Sequence, residues 1–239
     1  MSNKYLLELI NIRKSFKRHT VLHDVSFGIK EGEILGIIGT SGGGKSTLFK
    51  ILFGYYKPNK GHVLFKGKKL NLKAFKRIVG FTTQGPSFYK KLTIYENMKY
   101  YADLYNVKPK NISLKQHIHA LLKQVRLLQY KNKLVEDISG GMMRRLNFAI
   151  SLVHNPEILV LDEPTTGLDP KLVEEFWKII RAVRAKGKTI IITSHIFPEV
   201  EKNCDRVVML HKGNIAATFG KDKMNNLYTH FEQTLRRFE

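Results

Sequence analysis

The segment GTSGGGKS at positions 39–46 constrains this 239-residue chain more than any other. It has the form G-x-x-x-x-G-K-[ST]. It lies between an apolar strand at 34–38 and a helix predicted over 46–53, which Gly54 stops. Glycines in such a turn let backbone N–H groups face phosphate oxygens, and the helix N-terminus adds a positive dipole. Lys45 suits the β- and γ-phosphates, the Ser46 hydroxyl a Mg²⁺ ion, and Thr47 the α-phosphate. Gly39, Ser41, Gly42, Gly43 and Gly44 form the rest of the cradle. The alternative is a glycine-rich turn with no ligand. The flanking strand and helix favour a bound nucleoside triphosphate.

A second apolar strand, 158–161, ends on Asp162 and Glu163. A strand that delivers two carboxylates beside a phosphate loop fits hydrolysis. Asp162 suits a Mg²⁺ ligand, direct or through water, and Glu163 a general base for the attacking water. Taken alone, the pair could be a solvated strand end. Ser139, Gly140 and Gly141 open a helix over 139–153. Ser139 can cap it, and the glycines leave its first N–H groups open to an anion.

Alternating apolar residues predict strands over 5–12 and 21–29, with more at 61–66 and 78–82. Helical spacing then dominates 86–155, with helices at 93–105, 113–128 and 139–153. From 158 to 218 strands and helices alternate, the pattern of a parallel sheet with crossover helices. The fold class is therefore α/β. Met224, Leu227, Phe231, Leu235 and Phe238 predict an amphipathic terminal helix, packed on its own core or docked on a partner.

Lys and Arg number 41 against 20 Asp and Glu, a formal net charge of +21. Eight basic residues and no acidic one fall between Lys57 and Arg77. Such an excess attracts nucleic acid, anionic lipid or phosphorylated ligands, or it is a solvated lysine-rich surface. No apolar run reaches the roughly 20 residues of a membrane span. A single cysteine, Cys204, leaves no internal disulfide and suits a reducing compartment. A soluble intracellular chain is expected.

The order GTSGGGKST, Gln84, ISGGMMRRL, ILVLDEP, GLD and His195 resembles the ATP-binding subunits of ABC transporters over essentially the whole chain. PSFYKKLTIYENMKYYADLY, the SGGMxRRL form and NPEILVLDEPTTGLDP look like ATPases of type-2 ABC exporters, which move drugs, polysaccharides, sodium or other cargo out of prokaryotic cells. The resemblance implies a P-loop NTPase fold of the ABC ATPase type. That fold has an antiparallel β subdomain, a mixed or parallel core sheet and an inserted helical subdomain. It would form a single domain over 1–239, with the nucleotide-binding core at 1–85 and 156–220, the helical subdomain at 86–155 and a C-terminal helix at 221–239.

The resemblance also implies roles. Phe16 would stack on adenine, although a core strand residue is the other reading. Gln84 would contact Mg²⁺ or the attacking water and couple to a membrane partner. Ser139, Gly140 and Gly141 would close over the γ-phosphate bound to the opposite subunit. Asp169 would help position that interface, and it is also placed to cap a helix that begins at Pro170. His195 would contact the γ-phosphate. Ile138 replaces the usual leucine of this family, and Met142 stands where many members have Gln.

The implied ligands are ATP and Mg²⁺. The implied partners are a second ATPase chain, identical or paralogous, and a separate multi-span permease at the inner face of the cell membrane. An anionic membrane surface is a further candidate for the Lys57–Arg77 run. A nucleic-acid-acting relative is the rival. The interval between Gln84 and Ser139 leaves no room for long coiled-coil arms, so nucleic acid is not expected.

Overall fold

The computed structural model describes residues 5–69, 72–82, 85 and 88–238. Among the described residues, ten strands form two sheets. β1 (Leu7–Phe16) and β2 (His19–Ile29) form a hairpin, and β4 (Lys60–Phe65) and β5 (Lys68–Lys69) complete an antiparallel sheet in the order β2-β1-β4-β5. Lys66 and Gly67, both at positive φ, make the tight β4–β5 turn. β3 (Ile34–Gly39), β6 (Val79–Thr82), β7 (Ile158–Asp162), β8 (Thr189–Thr193) and β9 (Arg206–His211) are parallel, and β10 (Asn214–Gly220) pairs antiparallel with β9. Their order is β10-β9-β3-β8-β7-β6. A mixed core sheet beside an antiparallel one matches the expected architecture.

The period of two along each core strand divides the interior. Leu35 and Ile37 of β3, with Ile158 and Val160 of β7, face α1 (Lys45–Leu52) and the antiparallel sheet. Ile34 and Ile38, with Leu159 and Leu161, face the opposite layer. There α6 (Pro170–Arg184) buries Phe176, Trp177, Ile179, Ile180 and Val183, the stripe that a 3.6-residue period dictates. Trp177 cannot leave its indole N–H unpaired in that layer, and it donates to Glu199 at 2.8 Å; Thr165 donates to the same carboxylate oxygen.

Helix boundaries follow local chemistry. α1 ends in a Schellman motif. Gly54 is left-handed, Tyr55 N–H donates to Lys50 O and Gly54 N–H to Ile51 O. α3 (Ile94–Leu104) and α4 (Leu114–Gln124) open with capping boxes, Thr93 with Glu96 and Ser113 with Gln116. α4 stops short of the expected 128 because Arg126 turns left-handed, and Leu128–Tyr130 forms a 3₁₀ turn instead. These helices and α5 (Gly140–Leu152) occupy the predicted helical stretch. α2 (Leu72–Ile78) was absent from the sequence reading, its signal being a short lysine-rich run with Phe75 buried. α7 (Phe197–Asn203) precedes β9. The terminal helix α8 covers Leu227–Arg236, shorter than 221–239, because Lys221–Lys223 forms a 3₁₀ turn. Met224 and Leu227 are buried and Phe231 and Leu235 pack on the core, whereas Phe238 is exposed.

Candidate active site

The phosphate loop joins β3, an interior strand, to α1 at the C-terminal end of the parallel core strands. Its path is sterically dictated. A Cβ at Gly39 would lie 2.0 Å from the Leu210 carbonyl oxygen, and one at Gly44, at φ +102°, would lie 2.8 Å from Leu22 Cδ2. The turn between β9 and β10 supports the loop from behind. Gly213 N–H donates to Gly43 O at 3.1 Å, and His23 N–H donates to Gly213 O at 2.8 Å. Thr40 Oγ1 lies 3.3 Å from His211 Nδ1. Lys45 curls back so that Nζ donates to Gly39 O and Thr40 O, each at 2.8 Å. Burial lowers its pKa, partly offset by the charges of Glu163 and Asp162. The ammonium thus waits on backbone carbonyls. Ser41, Gly42 and Ser46 are exposed, and Thr47 is half-buried.

Beside the loop, β7 presents the two acids. Thr193, at the end of neighbouring β8, holds both. Its hydroxyl donates to Asp162 Oδ1 at 2.6 Å and accepts the Glu163 N–H at 3.0 Å. Burial raises the Asp162 pKa, opposed first by this hydrogen bond, and the Glu163 charge adds to the rise. Glu163 sits at φ +46°, unusual for a residue with a Cβ. That conformation turns its carboxylate away from the strand direction. Oε2 accepts from Thr166 Oγ1 at 3.3 Å, and Oε1 lies 3.5 Å from His195 Nδ1. The structure therefore brings Lys45, Asp162, Glu163 and His195 to this end of the sheet.

Other predicted residues stand apart from this cluster. Ser139 caps α5, its Oγ accepting the Met142 N–H at 3.3 Å, and the space around a Cβ at Gly140 is open. Asp169 caps α6, accepting the Leu172 N–H at 3.0 Å, so its local role is filled. Phe16 is 37% exposed, which removes the core reading. Its ring meets Tyr56 edge-on at 5.1 Å, and the Lys14 ammonium lies 5.0 Å from its centroid. Gln84 lies outside the described residues. Sequence reasoning gave no role to Thr193 or to the Lys212–Gly213 turn. Thr193 stands two places before His195 in the sequence, and nothing local marks the docking of the Lys212–Gly213 turn.

Residues 22–166 match the family model described as "ABC transporter". The chain belongs to the ABC transporter family. A lantibiotic transport ATP-binding protein of Streptococcus pyogenes is 35% identical over 230 residues, spanning 96% of this chain and 97% of the relative. A Nod factor export ATP-binding protein I of Rhizobium leguminosarum bv. viciae is 35% identical over 209 residues, spanning 87% and 67%. Among solved structures, an ATP-binding cassette of an ABC transporter in its ADP conformation superposes with a TM-score of 0.87 at 25% identity, covering 98% of this chain and 99% of that one. A dimeric post-hydrolysis cassette bound to ADP and Pi gives 0.79 at 27% identity, covering 90% and 98%. This ABC protein binds ATP and is an ATPase coupled to transport, and the nucleic-acid alternative gains no support.

The residues present fit a Mg²⁺ ion carried with nucleotide. No cluster of three or more His, Cys, Asp or Glu able to hold a metal occurs among the described residues. An exposed serine hydroxyl and one carboxylate are hard donors too few for an all-protein cage, which suits an ion that relies on phosphate oxygens and water.

Proposed function

We propose that this ATPase powers export through a separate membrane-spanning subunit, as one half of a two-chain engine. Each ATP is held between the phosphate loop of one chain and Ser139, Gly140 and Gly141 of the other. Lys45 leaves the carbonyls of Gly39 and Thr40 for the β- and γ-phosphates. Ser46 and Asp162 hold Mg²⁺, which neutralises phosphate charge when bound. Glu163 takes a proton from the attacking water, while His195, beside it, faces the γ-phosphate. Gln84 contacts Mg²⁺ or the attacking water and couples to the membrane subunit, while Thr47 meets the α-phosphate, Phe16 the base, and Asp169 the chain interface. ATP closes the pair because its γ-phosphate adds contacts that ADP lacks, and hydrolysis removes them. The observation that carries this reading is the contrast at Gly140. The α5 entrance is open in front of this glycine, while the phosphate loop is packed closed from behind.

The export assignment draws on the names of the two curated relatives, one in lantibiotic transport and one in Nod factor export. It places the chain at the cytoplasmic face of a membrane, with an identical or paralogous ATPase chain and a multi-span permease. No helix among the described residues is long and apolar enough to cross a membrane. Of the basic run, Lys57, Lys60, Lys68, Lys69 and Lys76 are exposed and available to anionic headgroups, while Lys66 is paired with Glu157 at 2.6 Å.

The trans-acting role of Ser139 has a direct test. A Ser139→Arg chain mixed with a Lys45→Ala chain should regain ATPase, since each heterodimer holds one intact composite site. Recovery of no activity above the separate variants, with dimers present, rejects the shared site.

A further inference from the structure

Away from these residues, a cavity of about 630 Å³ opens between the C-terminal end of α5, the loop after α3 and the end of α2. Its wall carries Arg77, Lys108, Lys110, His117 and His154, and no acidic side chain. Arg77, Lys108 and Lys110 have no ion-pair partner among the described residues. Lys66, Lys99, Arg184 and Arg206 each hold a carboxylate elsewhere. Three unpaired cations around one concavity repel one another, and they concentrate anions.

The wall is also preorganised. A carbonyl can only accept, so His117 Nε2–H donates to Val153 O at 2.8 Å and His154 Nε2–H donates to Val79 O at 3.2 Å. The His154 ring stacks on Tyr105, with centroids 4.1 Å apart and planes 11° from parallel. Burial holds the His154 pKa below its ordinary value, which disfavours a charge on this ring. The volume falls in the range of small-ligand sites, about 300–1,000 Å³, and flat apolar surface accompanies the cations. A nucleic acid needs an extended basic track rather than one local concavity.

We infer that this cavity binds a phosphorylated small metabolite, with its phosphates between Arg77 and the Lys108–Lys110 loop and its organic part against Tyr105. Such a ligand ties α2, which leads into β6, to the loop after α3. One flanking element leads to the turn proposed to close on the partner's nucleotide. α5 runs from its cap at Ser139 to this wall, about 20 Å for 13 residues. β6 begins at Val79, which holds His154. Occupancy is therefore felt by the ATPase. The inference goes beyond the export reading and stands on separate residues.

Calorimetric titration of the full chain with fructose 1,6-bisphosphate, at saturating Mg-ADP to block the nucleotide site, tests it. Saturable binding of one probe per chain is expected, with none for unphosphorylated fructose. Lys108→Glu with Lys110→Glu, on an exposed loop, should weaken binding about tenfold or more through loss of two charge-assisted contacts. Arg77→Gln should weaken it less. Saturating probe should also change the ATPase rate of the native chain and not of the double variant. Absence of saturable binding, equal binding by the double variant, or an unmoved ATPase rate overturns the proposal. So does charge reversal that abolishes only binding to phosphatidylglycerol vesicles, which would assign the cations to lipid.

Discussion

The phosphate loop and the Ser139 turn are both glycine-rich entrances to helices, yet the chain treats them differently. At the phosphate loop, neighbouring backbone presses on each side. Leu210 O closes on Gly39, Gly213 bonds Gly43, and Leu22 backs Gly44. At the other entrance Gly140 meets nothing within 4 Å, and the serine hydroxyl is engaged only in an ordinary cap. The first is a finished anion site, with its lysine parked on carbonyls until phosphate replaces them. On the proposed reading the second is half of a site, completed by another chain. Gly39 and Gly44 serve close packing, whereas Gly42 at the first entrance and Gly140 at the second leave open approach, and a Cβ at Gly141 would lie 3.0 Å from Leu172.

The largest effect belongs to the finished side. Glu163→Gln keeps the size and strained backbone of Glu163 but cannot accept the proton of an attacking water. ATPase turnover should fall about 10²–10⁴-fold, equivalent to about 3–5 kcal/mol in barrier height. ATP affinity should persist, since Lys45 and the loop are untouched, and the ATP-bound dimer should accumulate. Measuring kcat beside equilibrium ATP binding separates the two. Retention of full turnover would move the proton acceptor elsewhere.

A paired substitution addresses the contrast itself. In Gly39→Ala the new methyl collides with a backbone carbonyl that cannot swing aside. Stability should drop by about 1–3 kcal/mol or more, with ATP binding lost. In Gly140→Ala the methyl enters open space and stability should hold within about 0.5 kcal/mol. Its ATPase should nevertheless fall, because that space is where the partner's nucleotide would lie. Melting temperature and ATPase rate, taken together for both variants, check this. Equal destabilisation would erase the distinction, and a fully active Gly140→Ala would show that the turn stays out of the site.

These contrasts explain what was legible beforehand. The loop, the paired acids and the caps at Ser139 and Asp169 depend on residues within a few positions of each other, and so they are written locally. The short apolar runs at 34–38 and 158–161 likewise encoded two buried faces without knowledge of what covers them. The missing parts depend on distant partners. Thr193 steadies Asp162 and Glu163 across 30 or so positions of chain, and the Lys212–Gly213 turn reaches back to Gly43. Arg126 ends α4 by a left-handed turn with no glycine to announce it. Phe16 could not be assigned to core or surface until Tyr56 was beside it.

The smallest expected effect concerns the charge that the finished site carries while waiting for nucleotide. Asp162 is desolvated and lies near Glu163, so its carboxyl holds a proton above the ordinary carboxylate range. The native state then binds that proton more tightly than the unfolded chain does. The favourable contribution is complete below the unfolded pKa and is lost as pH rises through the raised folded value, leaving an ionised, partly buried acid at neutral pH. Asp162→Asn removes that charge yet can still accept the Thr193 hydroxyl. The nucleotide-free variant should be more stable than the native chain at pH 7. Solvent screening of a half-exposed group keeps the gain below about 1 kcal/mol, or about 2–4 °C in melting temperature. The difference should shrink as pH falls through the carboxylate range, and Mg-ATP should stabilise the variant less than the native chain. A melting temperature unchanged at pH 7, or a difference that grows in acid, would mean that the Thr193 hydrogen bond already offsets the charge.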